Sequence, residues 1–298
     1  MIKHLITIKD LSSSEISQLF DLASELKQNR KTHDKLLANK TLGLIFEKPS
    51  NRTRVSFEVG MFELGGNTIY LGAEEIKLGK REAVKDAAAV LSRYLDAIVF
   101  RTFSHEKLIE FAKCSTAPVI NGLTDLLHPC QALSDLFTIK EKKGLKGIVL
   151  AYVGDGNNVL NSLLYGCSKT GVKINIACPK GYEPNKDILK EAGSTVTLFR
   201  SAEEAVNGAD IIYTDVWTSM GHEKESRKRL KIFRKFQVNL ALLSLAKKDA
   251  MVMHCLPAHR GEEVTDEVLD SSQSIVIDQA ENRLHVQKAV LVKLLNRC

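Results

Sequence analysis

The sequence predicts an α/β protein made of two doubly wound parallel-sheet domains. Short apolar runs rich in Val and Ile alternate along the whole chain with segments whose apolar residues recur at helical spacing. These runs are apolar throughout, which is typical of strands in a parallel sheet that is covered on both faces. At 298 residues the chain exceeds the usual size of a single hydrophobic core, so we expect two domains.

The elements follow in β-α order. The apolar run Thr41 to Phe46 predicts a buried first strand, and Ser50 is a suitable N-cap for the helix after it. Pro129 favours the first turn of another helix, and Asn157 and Asn158 stand at the start of a third. By the same patterns we expect strands at 41–46, 67–71, 97–101, 118–121, 147–153, 173–178, 195–199, 210–215, 251–255 and 274–278. The expected helices are 12–28, 52–64, 82–94, 105–113, 130–142, 157–169, 185–192, 201–207, 240–248 and 283–296.

The polar run from Lys140 to Gly147 is the best candidate for a domain boundary. It predicts one domain over 1–140 and a second over 141–280.

Composition and charge narrow the function classes. A hydrophobic content of 44% and a charged content of 26% are ordinary for a globular enzyme. The N-terminus lacks the apolar segment of a signal peptide, and no apolar run is long enough to span a bilayer. The six cysteines show no disulfide framework or metal-ligand spacing. We therefore expect a cytoplasmic protein that does not act at a membrane.

The net charge of +6 comes mostly from one segment, 222–235, where seven Lys or Arg residues face two Glu residues. A nucleic-acid protein would more often show a basic stripe with interleaved aromatics. The segment is interpreted as a solvated, mobile basic helix, with nucleic-acid binding as the alternative.

The run Glu47 to Arg54 is the most informative stretch. It places the N-cap Ser50 and the arginines Arg52 and Arg54 at the start of a helix that follows a buried strand. Free backbone N–H groups, a positive dipole end and guanidinium groups suit a phosphate or a carboxylate. The alternative is a surface helix with two solvated arginines.

Polar groups also gather at other strand ends, which is where ligands of open α/β sheets bind. Besides Ser50–Arg54, they are Arg101, His128–Gln131, Asp155–Asn158, Asp215 and His254–Cys255.

Several of these groups allow more than one interpretation. Gly154-Asp155-Gly156 resembles the start of a dinucleotide fingerprint, but the third glycine and the ribose-binding acid are missing. His128 with Cys130 could be a nucleophile or a metal site; we favour His128 as a hydrogen-bond donor. Asp215 could hold an ammonium group or simply cap a helix. We expect no metal and no cofactor.

Taken together, the motifs resemble those of the transcarbamylases, and among them the ornithine carbamoyltransferases. The resemblance rests on segments that occur in family order over nearly the whole chain: 50–54, 101–103, 128–131, 154–158, 215–221, 236–239, 254–257 and 281–283. It implies transfer of the carbamoyl group of carbamoyl phosphate to the δ-amine of L-ornithine, in arginine biosynthesis or catabolism. It also implies that a C-terminal helix, 281–298, completes the first domain, and that the protein is a homotrimer with shared active sites and with these two substrates as its partners.

The resemblance assigns roles by motif position. Carbamoyl phosphate would contact Ser50, Asn51, Arg52, Thr53, Lys77, Arg101, His128, Gln131 and Arg283. Ornithine would contact Asn158, Asp215, Ser219, Met220, Cys255 and Leu256. The catalytic groups would be Arg52, Arg101, His128 and Cys255.

Two positions depart from the family pattern. Asn51 replaces the usual Thr or Met, and Lys77 stands where a Gln from a neighbouring subunit often touches the phosphate. Alternatives also stay open: an aspartate or a putrescine carbamoyltransferase, or a relative that binds carbamoyl phosphate without catalysis. An aspartate enzyme would usually have His-Pro-Leu-Pro-Arg where this chain has His254 to Ala258.

Overall fold

A computed structural model describes residues 3–30, 32, 35–79, 81–218 and 225–296. The chain divides into two compact units. The first comprises Met1–Phe137 and Glu281–Cys298, and the second comprises Thr138–Ala280. The predicted boundary after residue 140 and the observed division after Phe137 both fall within the helix Pro129–Lys143.

The first unit is built around a parallel sheet. Its elements are α1 (Ser13–Gln28), β1 (Thr41–Phe46), α2 (Asn51–Glu63), β2 (Asn67–Gly72), α3 (Ala73–Ile76), α4 (Val84–Tyr94), β3 (Ala97–Arg101), α5 (His105–Cys114), β4 (Val119–Leu123) and the first part of α6 (Pro129–Lys143). Within the described residues, four strands pair in the order β2-β1-β3-β4. Phe100 and Phe111 belong to the buried cluster on one side of this sheet, with ring centroids 5.0 Å apart.

The strand order places the start of α2 beside the end of β3. From β1 the chain proceeds outward to β2 on one side, whereas β3 and β4 lie on the other side. Ligands of such sheets bind beyond the carboxyl ends of the strands at this reversal. Phe46, the last residue of β1, pairs with Arg101, the last residue of β3.

The second unit is also built around a parallel sheet. Its elements are β5 (Val149–Val153), α7 (Asn158–Thr170), β6 (Lys173–Ala177), α8 (Lys186–Ala192), β7 (Val196–Phe199), α9 (Ala202–Val206), β8 (Ile211–Thr214), α10 (Ser226–Phe233), α11 (Leu240–Leu243), β9 (Met251–His254), α12 (Asp266–Leu269) and the start of α13 (Val276–Leu295). The described strands pair in parallel in the order β7-β6-β5-β8-β9. The reversal lies between β5 and β8, which are followed by Asp155 and Asp215.

The fold class is confirmed: both units are parallel sheets with interleaved helices. The strand predicted at 274–278 is wrong. Ser274 makes a single bridge to Val252, and α13 begins at Val276, seven residues before the predicted start of the last helix. A short apolar run fits a strand and a buried helix equally well, so periodicity alone could not decide. The helix predicted at 240–248 ends at Leu243, and the four-residue helices α3 and α12 were not predicted.

The interpretation of the basic segment as wholly solvated is also wrong. Arg229 on α10 is buried and forms an ion pair with Asp155. Its Nε donates to the carbonyl oxygen of Trp217, and its guanidinium lies 4.7 Å from the ring centroid of Tyr182. This arginine therefore packs into the second unit instead of extending into water.

Within the described ranges, we find no helix that combines the length and the hydropathy required to cross a bilayer.

Candidate active site

The first cluster of candidate site residues, within the first unit, begins at the N-terminus of α2. Ser50 has an extended backbone, and its hydroxyl accepts a hydrogen bond from the Thr53 amide at 3.3 Å, so it caps the helix as predicted. Asn51, the first helical residue, is exposed, and Arg52 is partly exposed. The amides of a first helical turn have no partner within the helix, and the helix dipole adds positive potential there. An anion is the ligand that this turn favours.

Three arginines converge near this turn. Arg101, at the end of β3, is only 4% exposed, and its Nε finds no hydrogen-bond acceptor among the residues that the structure describes. Burial, together with the positive charges of Arg283 and Arg52, lowers the pKa of Arg101 to about 10. Arg283 and Arg52 therefore lie close enough to Arg101 for their charges to oppose its own. A ligand with two negative charges would relieve the repulsion and satisfy the buried donor.

Arg283 reaches this cluster from α13. Its Nη2 donates to the Thr53 hydroxyl at 3.0 Å, and its Nη1 donates to the side-chain oxygen of Gln131. The Gln131 amide nitrogen donates in turn to Asp135 at 2.8 Å. Residues from α2, α6 and α13 are therefore joined around one guanidinium group.

His128 precedes Pro129 at the start of α6 and is almost fully buried. Burial lowers the pKa of His128 well below its usual value, and the charges of Arg283 and Arg101 act in the same direction. The imidazole is therefore neutral near pH 7, and it can donate an N–H to a substrate oxygen without becoming a cation.

Cys130 is poorly suited to act as a nucleophile. Burial raises the pKa of its thiol to about 12, and its Sγ lies 3.5 Å from the Asn121 carbonyl oxygen. The thiolate that a nucleophile or a metal site needs is therefore strongly disfavoured.

Two basic residues of the sequence motifs are engaged in other contacts. Arg54 pairs with Glu58 at 2.9 Å and lies over the ring of Tyr70, so it does not join the three arginines as the motif suggested. Lys77 has a left-handed backbone and forms a local ion pair with Glu74 at 3.2 Å. No described contact ties Lys77 to the cluster.

A second cluster of polar groups, within the second unit, centres on Asp215, which follows β8 and is buried. Its carboxylate accepts hydrogen bonds from the Asn157 side chain at 2.6 Å and from the Val216 amide at 2.8 Å. The Cys255 thiol, just beyond β9, lies 3.0 Å from the same carboxylate. The carboxylate is thus held in place by uncharged partners, an arrangement that suits the binding of an ammonium group.

The other residues predicted to bind ornithine lie at the start of α7, beyond β9, or outside the described residues. Asn158 is the first residue of α7 and is partly exposed, while Asn157 caps that helix through the amides of Val159 and Leu160. Leu256 has a left-handed backbone (φ 56°) before a cis bond to Pro257. Ser219 and Met220 lie outside the described residues.

A buried histidine–glutamate pair supports the segment after β9. The Leu256 amide donates to His254 Nδ1 at 2.8 Å, so Nε2 carries the proton of the neutral ring and donates to Glu263 at 3.0 Å. His254, Cys255 and Asp215 place one potential metal-ligating atom each within 4.8 Å of one another. Both nitrogens of His254 are already occupied, however, so the ring would have to give up one of these contacts to bind a metal.

The glycines of Gly154-Asp155-Gly156 have a structural purpose unrelated to a dinucleotide. A Cβ on Gly156 would lie 2.2 Å from the backbone nitrogen of Pro184, and the Gly156 amide donates to the Tyr182 carbonyl oxygen. The close approach that this glycine permits is therefore to the chain's own backbone.

Sequence reasoning missed several residues that hold the site together. Gln287 contacts Arg283 from one helical turn further along α13, a spacing at which side chains commonly meet. Asp135 contacts Gln131 at the same spacing. Glu263 carries no local sequence signal, because it reaches His254 from a loop.

Comparison with known proteins agrees with this geometry. Residues 3–141 match the family model described as "Aspartate/ornithine carbamoyltransferase, carbamoyl-P binding domain", and residues 146–294 match "Aspartate/ornithine carbamoyltransferase, Asp/Orn binding domain".

Similar proteins cover nearly the whole chain. An ornithine carbamoyltransferase from Bacillus subtilis is 55% identical over 98% of this chain and 94% of its own length, and one from Archaeoglobus fulgidus is 52% identical over 99% and 98%. The structure of the Pyrococcus furiosus ornithine carbamoyltransferase matches with a TM-score of 0.95 at 50% identity, over 99% of this chain and 97% of that one. An anabolic ornithine carbamoyltransferase from Campylobacter jejuni gives a TM-score of 0.94 at 41% identity, with both chains covered completely. The chain therefore belongs to the aspartate/ornithine carbamoyltransferase family.

Proposed function

We propose that this protein transfers the carbamoyl group of carbamoyl phosphate to the δ-amine of L-ornithine, giving L-citrulline and phosphate. The observation that carries the proposal is the buried Arg101, whose Nε has no acceptor among the described residues, together with the cations Arg283 and Arg52 near the capped start of α2. Such a cluster is destabilising unless it binds a strongly negative ligand. Carbamoyl phosphate is a ligand of that kind. The acceptor, ornithine, is inferred from the names of the similar proteins, which are ornithine carbamoyltransferases.

The first unit binds carbamoyl phosphate. The amides at Ser50–Thr53 and the guanidinium groups of Arg52, Arg101 and Arg283 hold the phosphate. Arg101, neutral His128 and the Thr53 hydroxyl stabilise the carbonyl oxygen as it becomes an oxyanion, and Gln131 contacts the carbamoyl group. Losing one preorganised donor of this kind typically raises the barrier by roughly 3–4 kcal/mol.

The second unit binds ornithine. Asp215 accepts the α-ammonium group, with Asn158 and the Ser219–Met220 segment as further contacts, and Cys255 and Leu256 lie at the reacting amine. The neutral δ-amine forms a bond to the carbamoyl carbon, the bond from that carbon to the phosphate oxygen breaks, and the departing phosphate takes the proton that the amine loses. No metal or cofactor takes part in this sequence of steps.

We also propose a homotrimer in which Lys77 of one subunit serves the phosphate site of the next. Its support is an apolar surface on the first unit: Val55, Phe62 and Ile69 are 55%, 78% and 48% exposed, and Ile69 lies on the edge strand β2. Sedimentation should give three times the chain mass of 33.1 kDa. A monomeric, fully active protein would contradict this part of the proposal.

A biosynthetic role fits best, since the enzymes of Pyrococcus furiosus and Campylobacter jejuni named above are called anabolic. A location in the cytoplasm is a further part of the proposal. The test of the activity itself is citrulline formation from carbamoyl phosphate and ornithine, with aspartate and putrescine offered in parallel. We expect turnover with ornithine alone. Turnover with aspartate or putrescine instead would reassign the substrate, and no turnover at all would refute the proposal.

A further inference from the structure

We infer that Gln287 is a positioning residue for carbamoyl phosphate: it fixes the orientation of Arg283 through a hydrogen-bond chain that ends on the backbone of Arg52. This inference rests on the proposed carbamoyl-phosphate site and assigns a role to a residue that the substrate does not touch.

One direction of donation runs from Arg283 to the backbone of Arg52, although the Ser56 hydroxyl also lies 3.1 Å from the Gln287 side-chain oxygen. The Arg283 Nε donates to the Gln287 side-chain oxygen at 3.0 Å. The Gln287 amide nitrogen donates to the Ser56 hydroxyl at 2.8 Å, and that hydroxyl is within hydrogen-bonding distance of the Arg52 carbonyl oxygen, at 2.5 Å. Because the Arg283 Nε can only donate, the Gln287 oxygen must face it and the amide nitrogen must face Ser56.

Gln287 contacts the Nε of Arg283, and this nitrogen is not proposed to contact the substrate. The two terminal nitrogens of Arg283 face Thr53 and Gln131, which are themselves proposed to contact carbamoyl phosphate and can exchange partners when it binds. The Nε contact to Gln287 does not compete with the substrate, so it persists in the complex. Gln287 is fully buried, and no solvent can replace its oxygen.

The neutrality of Gln287 is part of its function. A carboxylate in its place would also orient Arg283, but its negative charge would offset the cation that the phosphate requires. An amide oxygen orients the guanidinium and leaves its charge available. Gln287 and Ser56 thereby connect the Arg283 guanidinium to the backbone of the first turn of α2, and preorganisation of this kind lowers the cost of binding an anion.

The test compares four variants of the full chain. Gln287→Met keeps similar bulk and removes the oxygen, Gln287→Glu keeps an oxygen and adds a charge, and Ser56→Ala breaks the far end of the chain. Val290→Ala is the matched control, because Val290 is a buried apolar residue on the same helix. The readouts are the KM for each substrate, the inhibition constant of inorganic phosphate, and thermal unfolding.

We expect Gln287→Met to raise the KM for carbamoyl phosphate and the phosphate inhibition constant about tenfold, since a hydrogen bond to a charged group is lost. The KM for ornithine should stay unchanged. Ser56→Ala should give a smaller rise in the same direction, and it tests the inference even if Gln287→Met fails to fold. Gln287→Glu should weaken phosphate binding further as the pH rises and the new carboxyl group ionises.

Val290→Ala should lower the unfolding temperature without changing either constant. The inference is overturned if Gln287→Met and Ser56→Ala both bind phosphate like the parent protein, or if Val290→Ala weakens phosphate binding equally. Failure of the proposed function is a separate result, because it would appear as a parent protein that makes no citrulline.

Discussion

Replacing Arg101 by methionine is expected to stabilise the protein while it removes the activity. The pKa of Arg101 falls from its usual value to about 10, first because burial takes the guanidinium out of water and then because Arg283 and Arg52 repel it. Since the pKa in the folded state lies below the unfolded value, keeping this cation charged costs stability at any pH below about 10. A fall of this size corresponds to about 3 kcal/mol.

Methionine removes the charge and retains most of the bulk of the aliphatic stem. The small void that it leaves should cost about 1 kcal/mol, so the net gain in the free energy of unfolding is about 2 kcal/mol. The same change removes a donor to the phosphate and to the developing oxyanion, so kcat/KM should fall by roughly two to three orders of magnitude. Arg101 would thus lower the stability of the folded protein while it supports the activity.

The assay is urea unfolding without ligand, paired with citrulline formation. Inorganic phosphate should raise the unfolding midpoint of the parent protein and leave that of Arg101→Met nearly unchanged. Arg260→Met is the matched control, because Arg260 forms exposed ion pairs with Asp266 and Asp270. It should neither stabilise the protein nor alter kcat. An Arg101→Met variant that is less stable than the parent, or that keeps near-normal turnover, would refute this reasoning.

Three further predictions concern other parts of the structure. Asp215→Asn should raise the KM for ornithine at least about tenfold, because a charge-assisted contact to the ammonium group is lost. The inhibition constant of phosphate should stay the same. Equal losses for both substrates in steady-state kinetics would contradict the assignment. Gly156→Ala should destabilise the protein by roughly 2 kcal/mol or more in urea unfolding, because its Cβ would overlap the Pro184 backbone. Gly208→Asn is the control and should be tolerated, because Gly208 has open space around it and a positive φ of 67° that Asn can adopt. His128 has a lowered pKa, so the folded protein takes up fewer protons than the unfolded chain, and stability should fall as the pH drops below about 6.5. In His128→Asn this part of the pH dependence of unfolding should be absent. An unchanged pH profile would exclude His128 as its source.

Most of the fold could be predicted because buried parallel strands leave a strong sequence signal. The strands β1 to β9 all coincide with predicted runs to within about two residues. The exception, 274–278, shows the limit of this signal: Ser274 does pair with Val252, but the chain then turns into a helix whose first residues are as apolar as a strand. Tertiary packing decides such cases, and local pattern does not contain that information.

The candidate site was predictable where chemistry and strand ends coincide. Ser50, Arg101 and Asp215 follow directly from the rule that ligands bind at the carboxyl ends of parallel strands. Arg283 came only from the family resemblance, because it lies on a helix that begins in the other unit and no local pattern links it to Thr53.

The supporting residues could not be predicted in the same way. Gln287 and Glu263 act through side chains that are ordinary in composition and become informative only when their partners are known. Arg54 shows the same limit: the sequence left open whether it binds a phosphate or lies at the surface, and the structure has it in contact with Glu58 and Tyr70.

The most direct measurement is a crystal structure of this protein with carbamoyl phosphate bound. The proposed site predicts that the phosphorus lies beyond the start of α2, with phosphate oxygens within about 3 Å of the Arg52 and Arg101 guanidinium groups and of the amides at Ser50–Thr53. Carbamoyl phosphate bound elsewhere, with the buried Nε of Arg101 still without an acceptor, would contradict it.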